Sequence, residues 1–205
     1  MTSQRISIVG CSGSGKTTLT RRLAGLLKCP SLELDSIHHQ PDWTPVDDRS
    51  FLARVDEFTS STDSWIVDGN YRVVLPLVWS RSSHVIWLHP PRWRVMLRLL
   101  RRSGIRLALR RRLWNGNRER LVDVLSTDPS RSVLAGGWVG HAAYGAEYRK
   151  RLDAPEASHL KVHEVVDPIG CSKLIEEFGS ACEVGQEVGG RHPGTLMNGE
   201  VPTDS

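Results

Sequence analysis

Eight consecutive residues near the start of the chain carry the plainest chemistry. Gly10-Cys11-Ser12-Gly13-Ser14-Gly15-Lys16-Thr17 sets glycines along a short loop and ends on a lysine and a hydroxyl. Glycines let successive backbone N–H groups converge on one anion, and a helix opening at the end of the loop adds partial positive charge there. The spacing fits a phosphate cradle, with Lys16 reaching the β- and γ-phosphates of a nucleotide and Thr17 giving its hydroxyl to Mg²⁺. Thr18 follows as the next helix residue and is counted with the nucleotide-binding set. The plain alternative is a glycine-rich turn that binds nothing. The β-rich run Arg5 to Gly10 before the loop and the leucine-spaced run Lys16 to Lys28 after it favour the cradle.

Two carboxylates stand at the ends of other short apolar runs. Asp68 follows Trp65-Ile66-Val67, where an acid can hold Mg²⁺ directly or through water; an ordinary Asp-Gly turn is the other reading. Asp35 ends Leu32-Glu33-Leu34 and could take a proton from an acceptor hydroxyl, or simply cap a turn. His38 and His39 follow in a segment read as a loop over 35–44, where an acceptor contact and plain solvent exposure are both open.

Arginine is distributed unevenly. The chain has 22 arginines against five lysines, and 11 of them fall in residues 92–120, where Glu119 is the one acid. The guanidinium fork matches phosphate oxygens, so this segment is expected to serve phosphates or to be a solvated basic face. Arg110, Arg111, Arg112 and Arg118 flank the turn Trp114-Asn115-Gly116-Asn117. A mobile lid bearing them would put positive charge over a migrating phosphoryl group and exclude water, and Arg118 is taken as its catalytic arginine.

These residues need a scaffold that gathers loops at one edge. The pattern predicts strands at 5–10, 31–34, 65–67, 84–88 and 160–165, separated by helices at 16–28, 49–58 and from 92 onward, with a break at Ser103-Gly104. Residues 118–125, 130–152 and 169–178 also read as helical, although Gly136, Gly137 and Gly140 weaken the second of these. Short β-branched strands alternating with helices imply a parallel sheet covered on both faces, with ligands at the carboxyl ends of the strands. The expected domain spans 1–178, with an acceptor region at 36–63 and a lid at 92–120. The Gly- and Pro-rich stretch 179–205 reads as a flexible tail.

At 205 residues, 39% hydrophobic and 24% charged, the chain suits one globular α/β domain. Arginines interrupt the longest apolar candidate, so no membrane span is expected, and the first ten residues do not read as a signal peptide. Four scattered cysteines have no metal-ligand spacing and suggest reduced thiols in a cytoplasm.

Together, Gly10 to Thr17, Leu34-Asp35, Pro41-Asp42-Trp43, Trp65-Ile-Val-Asp-Gly-Asn-Tyr71 and Leu113-Trp-Asn-Gly-Asn-Arg-Glu119 resemble the adenylate-kinase-like P-loop family. Within it they resemble the bacterial subgroup labelled "DNA topology modulation protein". The resemblance spans about residues 4–178. It implies a five-stranded parallel sheet of order 2-3-1-4-5, an acceptor region after the second strand, a lid after the fourth, and ATP with Mg²⁺. Adenylate kinases carry Asp-Gly-Phe-Pro-Arg where this chain has Asp68-Gly69-Asn70-Tyr71-Arg72, so by offset Asp68 inherits the Mg²⁺-water contact and Arg72 a phosphate contact. The expected activity is transfer of the ATP γ-phosphate to a small-molecule acceptor, a nucleotide or nucleoside among the candidates. A nucleic-acid-associated regulatory ATPase and a nucleotide-binding module without turnover are the alternatives.

Overall fold

The computed structural model describes residues 3–109, 113–117, 121–124, 126, 128 and 132–188. Five strands form one sheet: β1 (Arg5–Gly10), β2 (Ser31–Glu33), β3 (Trp65–Asp68), β4 (His84–Leu88) and β5 (Lys161–Val165). Their order is β2-β3-β1-β4-β5 and every pairing is parallel. Helices α1 (Lys16–Leu27), α2 (Leu34–His38), α3 (Asp48–Ser61), α4 (Leu75–Arg81), α5 (Arg92–Ala108), α6 (Leu121–Val124), α7 (Val133–Leu152) and α8 (Pro168–Val188) make the crossovers and covers.

Alternation along the strands assigns the two faces. Ile6, Ile8, Ile66, Ile86 and Leu88 point to one side and pack with Leu19 and Leu23 of α1 and Leu174 and Phe178 of α8. Trp65 and Val67 point to the other, against Phe51 and Val55 of α3 and Val74 and Val78 at α4. Val85 and Trp87 continue that side, against Leu75 and Tyr148. Both faces being covered explains why the strands read as apolar runs rather than as alternating patterns.

Four local readings change. The second strand stops at Glu33, and Asp35 lies in the first turn of α2 instead of at a strand end. Two things favour the turn: an acid is stabilised near a helix start, and Leu34 packs directly on Gly69, where a Cβ would sit 2.8 Å from Leu34 Cβ. Second, α5 runs unbroken through Ser103-Gly104, because Val95, Leu99 and Ser103 form a buried stripe. Third, the glycines of α7 do not interrupt it. Gly137 lies against Leu99 of α5, so close that a Cβ there would sit 2.6 Å from the leucine methyl. Fourth, α8 continues past 179 to Val188, and the remainder of the tail lies outside the described residues. Among the described residues no helix is long and apolar enough to cross a membrane.

Candidate functional site

The loop between β1 and α1 is shaped by its glycines. Gly10, Gly13 and Gly15 have φ of 149°, 79° and 108°, a region that side chains avoid. Gly15 precedes α1 without a side-chain cap, so the first-turn N–H groups face the loop's mouth. Ser14 Oγ is buried and unpartnered, as expected of a cradle built around an anion. Lys16 Nζ folds back to donate to the carbonyls of Gly10 at 2.8 Å and Cys11 at 3.2 Å. Cys11 is buried, and that burial pushes its thiol pKa up, against the pull of Lys16. Thr18 is exposed; its N–H donates to Gly15 O, three residues back, at 3.1 Å, in the first turn of α1.

Thr17, in the first turn of α1, meets the ends of two strands, β2 and β3. Its hydroxyl lies 2.7 Å from Asp68 Oδ2 and 3.0 Å from Glu33 Oε1. One hydroxyl carries one proton, so it cannot donate to both carboxylates at once. Asp68 is 3% exposed. Burial pushes its carboxyl up to about 6 against the pull of Lys16 and the Thr17 hydroxyl, with Glu33 and Asp35 pushing the same way as burial. This concentration of oxygen donors and uncompensated negative charge is chemistry that suits a hard divalent cation. Among the described residues no three His, Cys, Asp or Glu side chains form a metal cage by themselves. Such a cation would be completed by phosphate oxygens and water.

Two arginines of α5, one helical turn apart, reach the same loop. Arg98 Nη1 donates to Ser14 O at 2.7 Å, and Arg102 Nη2 to Ser12 Oγ at 3.1 Å. Beside them a cleft runs between the loop and the β5–α8 connection, lined by Ser14, Pro90, Arg98, Val166, Asp167 and Cys171. Among the described residues, the members of the arginine cluster that reach this loop are on α5. Arg110–Arg112 and Arg118, expected as lid arginines, lie outside the described residues.

Asp35 heads a second group. Tyr71 O–H donates to Asp35 Oδ1 at 2.6 Å, and His39 Nε2 lies 3.4 Å from the same phenol. Burial, then the Asp35 carboxylate, hold the Tyr71 pKa well above its ordinary value. His38 packs 4.4 Å from the Tyr71 ring; its pKa is lowered first by burial and then by His39. His39 packs against Trp43 and Trp114, at 5.2 and 5.8 Å between ring centroids.

Trp114 arrives on the turn Trp114–Gly116, which is hydrogen-bonded to His39 in the segment after α2. Asn117 Nδ2 donates to Gln40 O at 2.9 Å, and its Oδ1 accepts from Trp43 N at 3.2 Å. Asn115 Nδ2 donates to His39 O. Asp42, Trp43 and Asn115 all have φ between 54° and 59°, so the backbone strain of this region collects at the junction. Arg72 is elsewhere: its guanidinium is 2.8 Å from Glu147 of α7 and its side chain is 75% exposed. The structure thus brings Lys16, Thr17 and Asp68 together and sets Asp35 near enough to act on Asp68, but directs Arg72 away from the loop.

Sequence reasoning misses Glu33, Tyr71, Asn115 and Asn117 as site residues, and does not single out Arg98 and Arg102. The i, i+2 acids in Glu33-Leu34-Asp35 and the i, i+4 spacing of Arg98 and Arg102 are the signals that could have found three of them.

No protein-family model matches the chain, and no curated protein does. Among solved structures, a shikimate kinase from Acinetobacter baumannii in complex with shikimate aligns with a TM-score of 0.51 at 15% identity, over 88% of this chain and 93% of that one. A gluconokinase from Sinorhizobium meliloti aligns with a TM-score of 0.48 at 15% identity, over 91% and 95%. The shikimate kinase likeness is one of fold: this chain has the P-loop kinase fold, with sheet order 2-3-1-4-5.

Proposed function

We propose that this protein is an ATP-dependent phosphotransferase that moves the γ-phosphate of ATP to a hydroxyl of a small molecule. One observation carries the reading. A phosphate loop whose threonine lies between two carboxylates stands beside a third carboxylate, Asp35, which is held by a phenol and is not part of that threonine's bonding. A nucleotide-binding module without turnover has no need of the third acid.

The roles follow from the geometry. Lys16 exchanges the Gly10 and Cys11 carbonyls for the β- and γ-phosphate oxygens. Thr17, Asp68 and Glu33 would hold Mg²⁺, which when bound neutralises charge on the β- and γ-phosphates. Arg98 and Arg102, which donate to Ser14 O and Ser12 Oγ of the phosphate loop, would stabilise charge on the leaving diphosphate. Asp35 accepts the proton of the acceptor hydroxyl as its oxygen bonds to the γ-phosphorus. The bond from the γ-phosphorus to the β–γ bridging oxygen breaks, and ADP leaves. Positioning and charge supply most of the rate, as phosphoryl transfer requires. The catalytic role expected for Arg72 would require it to leave Glu147, and Arg118 lies outside the described residues.

The test is acceptor-dependent ADP release across a panel of nucleosides, nucleotides, sugars and polyols, run beside calorimetry with ATP and Mg²⁺. Stimulation by an acceptor in the wild type, and its loss in Asp35→Asn with ATP affinity retained, is the expected result. ATP affinity indifferent to Lys16→Ala would remove the reading at its base.

A further inference from the structure

Helix α5 buries one face and leaves the opposite one apolar. Val95 and Leu99 are fully buried against Cys11. Trp93, Leu97 and Leu100 are 59%, 58% and 52% exposed. Their i, i+4, i+7 spacing sets them in one stripe along the helix. Single exposed apolar side chains are ordinary on a protein surface, but a continuous stripe of three large ones marks a place of contact. Arginines border it. Arg94 lies over the Trp93 ring at 5.1 Å, and Arg92 lies at 5.0 Å over the ring of Trp138 of α7, itself 55% exposed. Residues 92–108 carry six arginines and no acid. Arg98, which reaches the phosphate loop, stands roughly 140–160° around the helix from Trp93 and Leu100, at about 100° per residue.

We propose that this outer face of α5 docks the protein on an anionic bilayer surface, with Trp93, Leu97 and Leu100 entering the boundary between headgroups and acyl chains and Arg92, Arg94 and Arg101 meeting lipid phosphates. An apolar stripe between basic side chains is what a helix lying in the plane of the interface presents, and tryptophan favours that depth. Charge decides among the occupants. A second copy docked through the same face would set arginines against arginines, which is unfavourable. A nucleic-acid backbone would take the guanidinium groups and find no use for three large apolar side chains. An anionic bilayer matches both features at once, phosphates for the arginines and hydrocarbon for the stripe. Because the face turns away from Arg98, the docked protein keeps its phosphate loop open.

The test is sedimentation of the full chain with vesicles of phosphatidylcholine alone and of phosphatidylcholine mixed equally with phosphatidylglycerol, at physiological salt. Binding to the anionic vesicles, with little to the neutral ones, is the expected result. Trp93→Ser combined with Leu97→Ser should weaken that binding by about tenfold or more. Arg94→Gln combined with Arg101→Gln should weaken it by about tenfold. Both variants change side chains on the outer face and should melt with the wild type. Binding should also persist with ATP and Mg²⁺ present. No binding to anionic vesicles overturns the assignment. So does binding that the serine variant keeps, since charge alone would then hold the protein. Displacement by ATP overturns it too, because the lipid phosphates would then sit in the phosphate loop. A dimer that light scattering detects in the wild type and not in the serine variant would put a second copy on this face and overturn it as well.

Discussion

The side-chain amide of Asn117 replaces a backbone strand for Trp43: its oxygen accepts the Trp43 N–H at 3.2 Å while its nitrogen donates to Gln40 O at 2.9 Å. Asn117 is 6% exposed, so both bonds are sheltered from water. Two segments 74 residues apart are thereby fixed to each other, one expected as part of an acceptor region and one expected as part of a lid. Asn117→Ala removes both partners and should destabilise the junction by about 2 kcal/mol. Acceptor KM should rise while ATP affinity measured by calorimetry stays within about twofold of wild type. Equal loss of both would mean that the junction supports the whole domain rather than the acceptor side.

Asp68 links protonation to stability. Its carboxyl rises from the ordinary 3.8 to about 6 in the fold, so the folded chain binds the proton more tightly than the unfolded one. The stability this contributes is complete below about pH 3.8 and is lost as pH rises through about 6. Asp68→Asn should therefore stabilise the ligand-free protein at pH 8 by up to about 3 kcal/mol, with the gain vanishing toward about pH 4. The same variant should lose the Mg²⁺ dependence of ATP binding. Thermal melts across the range from acid to mildly alkaline pH decide it: a gain that does not grow with pH rules the linkage out.

Tyr71 should act through Asp35. Tyr71→Phe keeps the ring contacts with His38 and Phe51, at 4.4 and 5.2 Å, and deletes the hydroxyl bond at 2.6 Å. We expect kcat to fall by about tenfold, the worth of one hydrogen bond to a charged group, with KM for ATP unchanged. A variant with normal kcat means that Asp35 is oriented by something other than the phenol.

The α5 arginines separate nucleotide from nucleic-acid binding. Arg98→Ala should weaken ATP binding by about 2 kcal/mol, roughly thirtyfold in Kd, through loss of the guanidinium held at Ser14. Duplex DNA should bind weakly at physiological salt and fail to compete with ATP. Tight DNA binding that Arg98→Ala weakens and ATP displaces would contradict this assignment.

Local chemistry is legible in the sequence and long-range convergence is not. The phosphate loop can be read because all its parts are contiguous, from Gly10 to Thr17, and its glycines meet a local backbone need. The strands can be read because both faces of a parallel sheet are buried, which leaves uninterrupted apolar runs. Asp35 stands out by its position after such a run, though the strand itself ends at Glu33. Glu33 draws no notice because, in sequence, it is one polar residue inside a strand; only the fold lays Thr17 across it. Asn117 has the same character, since a turn asparagine looks alike whether it faces water or a second segment. Ser103-Gly104 misleads because propensity argues for a break, while burial of Val95 and Leu99 on the same helix outweighs it.

The backward fold of Lys16 onto Gly10 and Cys11 makes the loop its own competitor. A stray inorganic anion entering the mouth finds the ammonium already engaged at 2.8 and 3.2 Å and must break those bonds for one set of oxygens. A chain of phosphates can hold the amides with one group and recruit the lysine with the next, so the cost is spread over several contacts. On the phosphotransferase reading, the resting position of this single side chain would favour polyphosphate over orthophosphate. Orthophosphate and sulfate would act as poor inhibitors of such a loop even at concentrations far above that of its nucleotide.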